Sequence, residues 1–334
     1  MQNISMFLTE GWPSPAIHNA HSVGHNSNNM PIGRSNRISR HRAFHFTCIC
    51  GIVWQLKACA SIYVKKNITM RAMELIDIGC NLTHDSFDVD REKVIEAAFQ
   101  VGVCQMIITG ASAQGSRDAL ELARQWPQKL FATAGVHPHR ASDYDSETDA
   151  LLRELASQPG VVAIGETGLD YFRDFSPRDA QRSSFEQQIQ IAIETGLPLF
   201  LHQRDAHEDF FAILKEYRDR LNEVVVHCFT GSQAELHECL DLDCHIGITG
   251  WICDERRGTH MKDYMQDIPS DRLMIETDAP YLKPRNLRPK VKSHRNEPRL
   301  LPWILGTLAA CRNEHPEALA EATTRNARAF FRLC

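Results

Sequence analysis

The sequence predicts an α/β protein, a single (β/α)8 TIM-type barrel that spans residues 73–334. Short apolar runs alternate with longer stretches of helical pattern, which indicates βα units and a parallel sheet. Eight such units fit the usual barrel size of roughly 250 residues. Polar side chains follow the ends of most runs, where a barrel places its active face. An open doubly wound sheet is the alternative, but "DIGCNLT" after the first run lacks the Gly-rich GxGxxG turn typical of that fold.

Each of the eight runs has the length of a buried strand. In chain order they are Leu75 to Leu82, Gln105 to Gly110, Leu130 to Val136, Val161 to Glu166, Leu197 to His202, Val224 to Cys228, His245 to Gly250 and Leu273 to Thr277. Helix-start signals lie between them. Ser176 followed by Pro177 predicts an N-cap with proline at the first helical position. Ser232-Gln-Ala-Glu235 predicts a capping box.

The first 72 residues differ in charge and pattern from the rest. They contain eight Lys or Arg and one acid, Glu10, and so carry +7, which leaves −12 for the remainder because the whole chain carries −5. Their apolar patch "FHFTCICGIVWQL" is too short to span a bilayer and too far from the terminus for an ordinary signal peptide. We interpret residues 1–72 as a disordered extension or a non-native one translated from upstream of the true start, and we expect no membrane association.

Composition and cysteine usage narrow the class of protein. An apolar content of 43% is that of a globular chain with a sizeable core, which excludes disorder of the whole chain. Eleven cysteines without a CxxC pair indicate neither a disulfide framework nor a zinc ribbon. A reducing compartment fits best, so we expect a cytoplasmic protein, and we expect it to be a monomer.

The stretch "VVAIGETGLDYF" places a carboxylate, Glu166, directly after a buried strand. Such a group must be solvated, paired or bound to a metal, because leaving it dry and alone is very costly. Gly165 and Gly168 would let the neighbouring backbone approach closely around it.

His202 and His227 lie at the ends of two other predicted strands and Asp278 follows a third, and a barrel brings such strand ends to one mouth. For any one of these side chains a structural role is the commoner explanation, but four that converge predict a metal site. Imidazole and carboxylate ligands suit Zn²⁺ and Mn²⁺, and Mg²⁺ where carboxylate and water dominate.

Several motifs, in order, resemble one known family. "GETGLD", "LFLHQRDAHEDF", "VVVHCFTGS", "IGITGWICDERRG", "ETDAPYL" and "RNEP" are similar to the TatD family of metal-dependent deoxyribonucleases, a branch of the amidohydrolase-like barrels, from Met73 to the C-terminus. The resemblance is closest to the bacterial TatD branch.

This resemblance implies roles for the residues at the predicted mouth. Glu166, His202 and His227 would be metal ligands, and Asp278 a ligand or the base that activates water. His137 and His139 look like substrate-side histidines, and His137 joins Asp278 and Glu166 as a catalytic residue. The family also implies 3′-5′ exonuclease action on single-stranded DNA or RNA, Mg²⁺ as the expected ion with Mn²⁺ or Zn²⁺ as alternatives, and a role in DNA repair.

One motif departs from most relatives, which place an HxH pair at the end of the first strand. Here the matching residues are Gly79 and Asn81. Glycine has no side chain, and asparagine offers only a weak neutral oxygen, although the bacterial branch looks similar at this point. We therefore expect a single tightly bound ion, or one tight and one weak, rather than two ions in a His-rich site.

A nucleic-acid substrate requires a local basic surface, because a domain with a net charge near −12 repels phosphates at long range. Residues 279–296, after the eighth strand, contain six basic residues and no acid. Charged loops are often only solvated, but this one is expected at the mouth. The predicted substrate-binding residues are His139, Arg173, Arg204, Lys290, Lys292 and Arg295.

Two other functions use the same features. A deacylase acting on D-aminoacyl-tRNA, or on another ester or amide, would need the same ions. A non-catalytic nucleic-acid-binding module is less favoured, because binding does not require buried carboxylates and histidines at a barrel mouth.

Overall fold

The computed structural model describes residues 73–290 and 293–333. The extension predicted over residues 1–72 and the predicted substrate-binding Lys292 therefore lie outside the described residues. All eight predicted strands form, each parallel to the next and in chain order around the sheet. They are β1 (Leu75–Cys80), β2 (Val103–Ile108), β3 (Leu130–Ala134), β4 (Val161–Asp170), β5 (Leu199–Arg204), β6 (Val224–Val226), β7 (His245–Ile248) and β8 (Leu273–Ile275).

Hydrogen bonds also join the first strand to the segment after the last. The N–H of Asn81 donates to the carbonyl of Ala279 at 2.7 Å, and the N–H of Asp278 donates to Gly79 at 2.8 Å. The fully buried Asp77 accepts bonds from the Thr277 N–H at 2.9 Å and hydroxyl at 2.5 Å. The predicted barrel is confirmed. It is nearly closed, and the ends of its first and last strands lie side by side.

Eight α-helices of the described chain alternate with or follow the strands. They are α1 (Arg91–Gln100), α2 (Ala113–Gln125), α3 (Ser146–Ala156), α4 (Arg178–Thr195), α5 (His207–Tyr217), α6 (Gln233–Asp241), α7 (Leu301–Arg312) and α8 (Pro316–Phe331). Between β7 and β8 the described chain has short 3₁₀ turns instead of an α-helix. None of the helices in residues 73–290 and 293–333 combines the length and apolar character needed to cross a bilayer.

The two predicted helix starts have different outcomes. The capping box at α6 is confirmed, because Ser232 accepts from the Glu235 N–H at 3.3 Å and the Glu235 carboxylate accepts from the Ser232 N–H at 2.5 Å. The N-cap predicted at Ser176 is wrong, since Pro177 occupies that position without a side-chain cap. The Ser176 hydroxyl instead donates to the carbonyl of His139 at 3.1 Å and accepts from the Ser142 N–H at 3.1 Å.

Two hydrophobic cores flank the sheet. The larger core lies between the strands and the surrounding helices. The smaller one lies inside the barrel and joins inward residues such as Ile78, Phe200 and Met274 to the end of α8. Phe330 of α8 packs edge-on against His245 at the start of β7, with ring centroids 5.0 Å apart. The N-terminal end of the barrel is thereby filled, and the C-terminal end carries the polar groups.

Candidate metal centre

Strand β4 extends four residues beyond its predicted end at Glu166 and carries an irregularity in its pairing with β5 between Ile164 and Thr167. Gly165 and Gly168 have φ values of +138° and +130°, which residues with a Cβ rarely adopt. A Cβ at Gly165 would overlap the carbonyl oxygen of Phe200, and one at Gly168 that of His202. The predicted close approach is confirmed, and it brings Glu166 against the end of β5.

Three histidines converge on one carboxylate oxygen of the buried Glu166. Its Oε1 lies 2.7 Å from Nε2 of His227, 3.3 Å from Nδ1 of His202 and 3.4 Å from Nε2 of His137. These histidines follow β3, lie on β5 and follow β6, and so the arrangement depends on barrel closure.

The second ring nitrogens of His202 and His227 face carboxylates. Nε2 of His202 lies 3.2 Å from Oδ2 of Asp170, and Nδ1 of His227 lies 3.3 Å from Oε2 of Glu276. A carboxylate that accepts a hydrogen bond from the N–H of one ring nitrogen leaves the lone pair of the other nitrogen available, which is the usual arrangement of metal-binding histidines. In both residues the available nitrogen is the one that faces Glu166.

His137 has a different hydrogen-bond pattern. Its Nδ1 accepts the N–H of His139 at 3.1 Å, which leaves the proton of a neutral ring on Nε2, the atom facing Glu166. Burial lowers the pKa of His137 to about 3, so the ring is neutral at physiological pH. By distance alone, one ligand atom each of His137, Glu166 and His202 lie within 4.8 Å of one another. The tautomer favours His137 as a hydrogen-bond donor and His227 as the third ligand.

The donors fit a divalent cation. Ligands about 2.0–2.2 Å from a tetrahedral ion lie roughly 3.4 Å from one another. The 3.3 Å between Glu166 Oε1 and His202 Nδ1 matches that spacing, and the 2.7 Å to His227 is the shorter distance of a direct hydrogen bond. One carboxylate and two such imidazoles, of which only His202 is partly exposed, are chemically suited to a divalent ion.

The cluster keeps its carboxylate ionised. Burial acts to raise the pKa of Glu166, but the neighbouring imidazoles outweigh it and hold that pKa well below its usual range. Burial likewise acts to lower the pKa of His227, and the carboxylates of Glu166 and Glu276 outweigh it and raise the pKa well above its usual range. Protons and a cation therefore compete for the same nitrogens.

Asp278 stands beside this cluster, in contact with Asn81. It follows β8 with φ of +53°, an uncommon conformation for a residue with a side chain. Its Oδ1 accepts a hydrogen bond from the Asn81 amide at 2.9 Å. Burial raises the pKa of Asp278 to about 7, and the negative charges of Glu166 and Glu276 act in the same direction. A carboxylate with a pKa near 7 is well matched to accept a proton.

Glu276 is a buried residue that was not predicted as part of the site, and it lies beside Gly79, the first of the two positions at which most relatives carry the HxH pair. Its carboxylate contacts His227 and accepts the N–H of Cys228 at 2.5 Å. A Cβ at Gly79 would overlap Oε2 of Glu276, so a larger residue there would displace this carboxylate. The available signal was an acid at the end of the apolar run "LMIET".

The predicted substrate-side residues lie around the same mouth. Nε2 of His139 is 2.9 Å from Asp170, and its ring centroid is 4.2 Å from that of His137. The guanidinium of Arg204 lies 4.1 Å from the ring centre of Phe172, and that of Arg173 lies 5.7 Å from it. Lys290 lines a separate cavity between the loops that follow β7 and β8.

Arg295 is engaged in the structure itself. Its guanidinium binds both carboxylate oxygens of Asp90 at 2.8 Å and lies 3.0 Å from Glu297. It also stacks over Phe87, 4.7 Å from the ring centre. These contacts tie the loop after β8 to the start of α1, and we do not include Arg295 in the proposed substrate surface.

A family comparison decides the relationship that the motifs suggested. The family described as "TatD related DNase" matches residues 76–332, nearly all of the described chain. The chain belongs to the TatD-related DNase family. It is therefore a nuclease-type hydrolase, as the motifs predicted.

Individual relatives place it within the bacterial TatD branch. The chain is 51% identical over 259 residues to the 3′-5′ ssDNA/RNA exonuclease TatD of Erwinia tasmaniensis. The match covers 78% of this chain and 100% of that protein. It is 48% identical over 259 residues to the protein of the same name from Salmonella typhimurium, with coverage of 78% and 99%.

Solved structures of TatD-related proteins share the barrel. YJJV, a TatD homolog from Escherichia coli K12, superposes with a TM-score of 0.72 at 27% identity and covers 79% of this chain and 100% of its own. A TatD family hydrolase from Entamoeba histolytica gives a TM-score of 0.69 at 28% identity, with coverage of 78% and 98%.

Proposed function

We propose that this protein is a metal-dependent 3′-5′ exonuclease that hydrolyses the terminal phosphodiester bond of single-stranded DNA and RNA. The observation that carries the proposal is the convergence of His202 and His227 on Glu166, each with its second nitrogen facing a carboxylate. The names of relatives near 50% identity supply the substrate and polarity.

We assign Glu166, His202 and His227 as the residues that hold the ion. A bound divalent cation lowers the pKa of water and offsets negative charge on the phosphoryl oxygens. Asp278, whose pKa lies near 7, accepts the proton of the attacking water or completes the ligand set. We assign to the Nε2–H of neutral His137 and to the ring of His139 the role of holding substrate oxygens.

The finer properties follow the chemistry of the donors and the family. We propose Mg²⁺ as the working ion, with Mn²⁺ or Zn²⁺ as substitutes, and one tightly bound ion per chain. We also propose a monomer in the cytoplasm that trims 3′ ends during DNA repair.

End-labelled single-stranded DNA tests the function directly. With Mg²⁺, Mn²⁺ or Zn²⁺ added in turn, a 5′-labelled strand should shorten one nucleotide at a time, and a 3′ label should be released first. Chelator should stop both reactions. No shortening with any of the three ions would overturn the proposal.

The same assay separates the rival functions. A deacylase would release the amino acid from D-aminoacyl-tRNA and leave strand length unchanged. A non-catalytic module would retain strands in chelator and shorten none in metal.

A further inference from the structure

A second polar cavity opens between the loops that follow β7 and β8. Its volume is about 380 Å³, within the roughly 300–1,000 Å³ of small-ligand sites. The charged and aromatic residues that line it are Trp251, Asp254, Arg257, Lys283, Arg285 and Lys290. The metal cluster is not part of this lining, so the cavity is a distinct feature of the mouth.

Asp254 organises the arginines at this cavity. Its side chain is 3% exposed, and its Oδ2 lies 2.9 Å from Nε of Arg257 and 3.8 Å from Nε of Arg285. The N–H of Arg256 donates to its other oxygen at 3.0 Å. The lining thus contains four cations, two arginines and two lysines, against one acid, a balance of +3. An anionic occupant is favoured.

A band of stacked arginine and aromatic side chains connects the cavity with the metal cluster. The guanidinium of Arg257 lies 4.2 Å from the ring centre of Trp251, and that of Arg204 lies 5.5 Å from it. Arg204 also lies 4.1 Å from the ring centre of Phe172, which is 42% exposed. Arg204 is two residues beyond His202 on β5. Cationic groups interleaved with aromatic faces are typical of surfaces that bind single-stranded nucleic acid.

We propose that this cavity holds a nucleotide on the 5′ side of the scissile bond, and that the Trp251–Arg204–Phe172 band carries the strand between the cavity and the metal site. The inference rests on the proposed function. In a 3′-5′ exonuclease the departing nucleotide is the 3′ terminal one, and so the rest of the strand extends to its 5′ side. The cavity supplies cations for a phosphate and an aromatic wall for a base.

The proposal predicts a dependence on substrate length. Under this proposal the dinucleotide TpT occupies only the two positions beside the scissile bond, whereas a ten-residue oligothymidylate also occupies the cavity. Base–aromatic stacking is worth roughly 5- to 140-fold in affinity. The wild-type kcat/KM should therefore rise with length, and the gain should come from KM.

Two variants remove the cavity wall, and a third serves as control. Trp251→Leu deletes the aromatic face, and Arg285→Gln removes a charge from a side chain that is 52% exposed and makes little demand on folding. Arg220→Gln is the control, because it removes the same charge from an arginine that lies 4.8 Å from the ring centre of Tyr217 and precedes β6 at the opposite end of the barrel. Steady-state kinetics with full-length protein should be measured on TpT and on the ten-residue strand.

For Trp251→Leu and Arg285→Gln, the KM of the long strand should rise about tenfold, with kcat and TpT cleavage nearly unchanged and the Arg220→Gln control unaffected. An unaltered KM in Arg285→Gln, or an equal loss on both substrates, would overturn the cavity proposal and leave the nuclease function standing. If the wild type cleaves neither substrate in any of the three metals, the proposed function fails, and the cavity proposal fails with it.

Discussion

At the scale of single residues, the candidate centre depends on carboxylates that do not themselves contact the proposed ion. Asp170 and Glu276 each face the distal nitrogen of one histidine. Both are buried, and each also accepts a backbone N–H, from Arg173 at 2.8 Å and from Cys228 at 2.5 Å. These bonds fix the carboxylates, and the carboxylates fix the tautomer and orientation of the rings.

Glu276→Gln tests this positioning role. The amide preserves the shape of the side chain but presents a neutral group to Nδ1 of His227, so the ring is held less firmly. We expect Mn²⁺ affinity, measured by isothermal titration, to fall about 10- to 100-fold, with the fold retained. Glu276→Asp, which keeps the charge, should recover part of the loss. Wild-type affinity in Glu276→Gln would mean that the carboxylate only fills the space beside Gly79.

At the scale of elements, the strands with a clear apolar pattern could be predicted from the sequence. The continuation of β4 beyond Glu166 could not. The alternation of strands and helices depends on local pattern, so all eight strands were found. The extension of β4 to Asp170 depends on pairing with β5, including the partners Asp170 and Arg204. That pairing is a tertiary property.

The residues of the candidate site likewise fall into those that the sequence could predict and those that it could not. Glu166, His202 and His227 could be brought together by counting strands, because barrel closure determines where strand ends meet. The Glu276 contact and the engagement of Arg295 by Asp90 depend on side-chain geometry across distant segments. The role of Ser176 could not be predicted for the same reason, because its hydroxyl donates a hydrogen bond to the distant carbonyl of His139 instead of capping α4.

The basic loop after β8 carries a prediction at this scale. Replacing Lys290 and Lys292 by glutamate should weaken binding of single-stranded DNA and reduce the slope of log affinity against log salt by about 1.4, because two phosphate contacts worth about 0.7 each on a single strand are lost. Turnover at saturating substrate should change less. Lys129→Glu, just before β3 at the other end of the barrel, is the control. A salt slope equal to that of the wild type in fluorescence anisotropy would show that the loop is merely solvated.

At the scale of the whole molecule, the described residues form the nearly closed barrel by themselves. Residues 73–333 supply all eight strands, and α8 fills the N-terminal end of the barrel. We therefore predict that a chain beginning at Met73 folds and cleaves single-stranded DNA at the full-length rate. Circular dichroism and the labelled-strand assay check this. An insoluble or inactive shortened chain would contradict it and assign the first 72 residues a role in folding or activity.

Acid should destabilise the barrel partly through His245. This residue is 7% exposed, and burial lowers its pKa to about 4. In the unfolded chain the pKa of a histidine is about 6.5, so the unfolded state binds the proton more readily than the folded state does. This contribution to stability is present above about pH 6.5 and is lost as the pH falls toward about 4, by up to about 3 kcal/mol.

Urea unfolding in chelator at about pH 7.5 and about pH 5 measures this effect. His245→Asn cannot take up a proton, so its free energy of unfolding should fall less between the two pH values than that of the wild type. Identical losses in the two proteins would show that His245 contributes nothing to the pH dependence.

The central claim is that Glu166 holds the ion that the chemistry requires. Glu166→Gln keeps the shape of the side chain and removes the charge that offsets the cation, so metal affinity and hydrolysis should fall together. Asp278→Asn should retain the ion, while the chemical step slows by about 10²- to 10⁴-fold, as is typical when a general base is lost.

Metal content by mass spectrometry, measured in parallel with single-turnover cleavage of single-stranded DNA, tests this most directly. We predict a tightly bound ion in the wild type and in Asp278→Asn, and loss of most of the ion and of cleavage in Glu166→Gln. Full metal content with normal cleavage in Glu166→Gln would contradict the account, because Glu166 would then be only a buried, hydrogen-bonded end to β4.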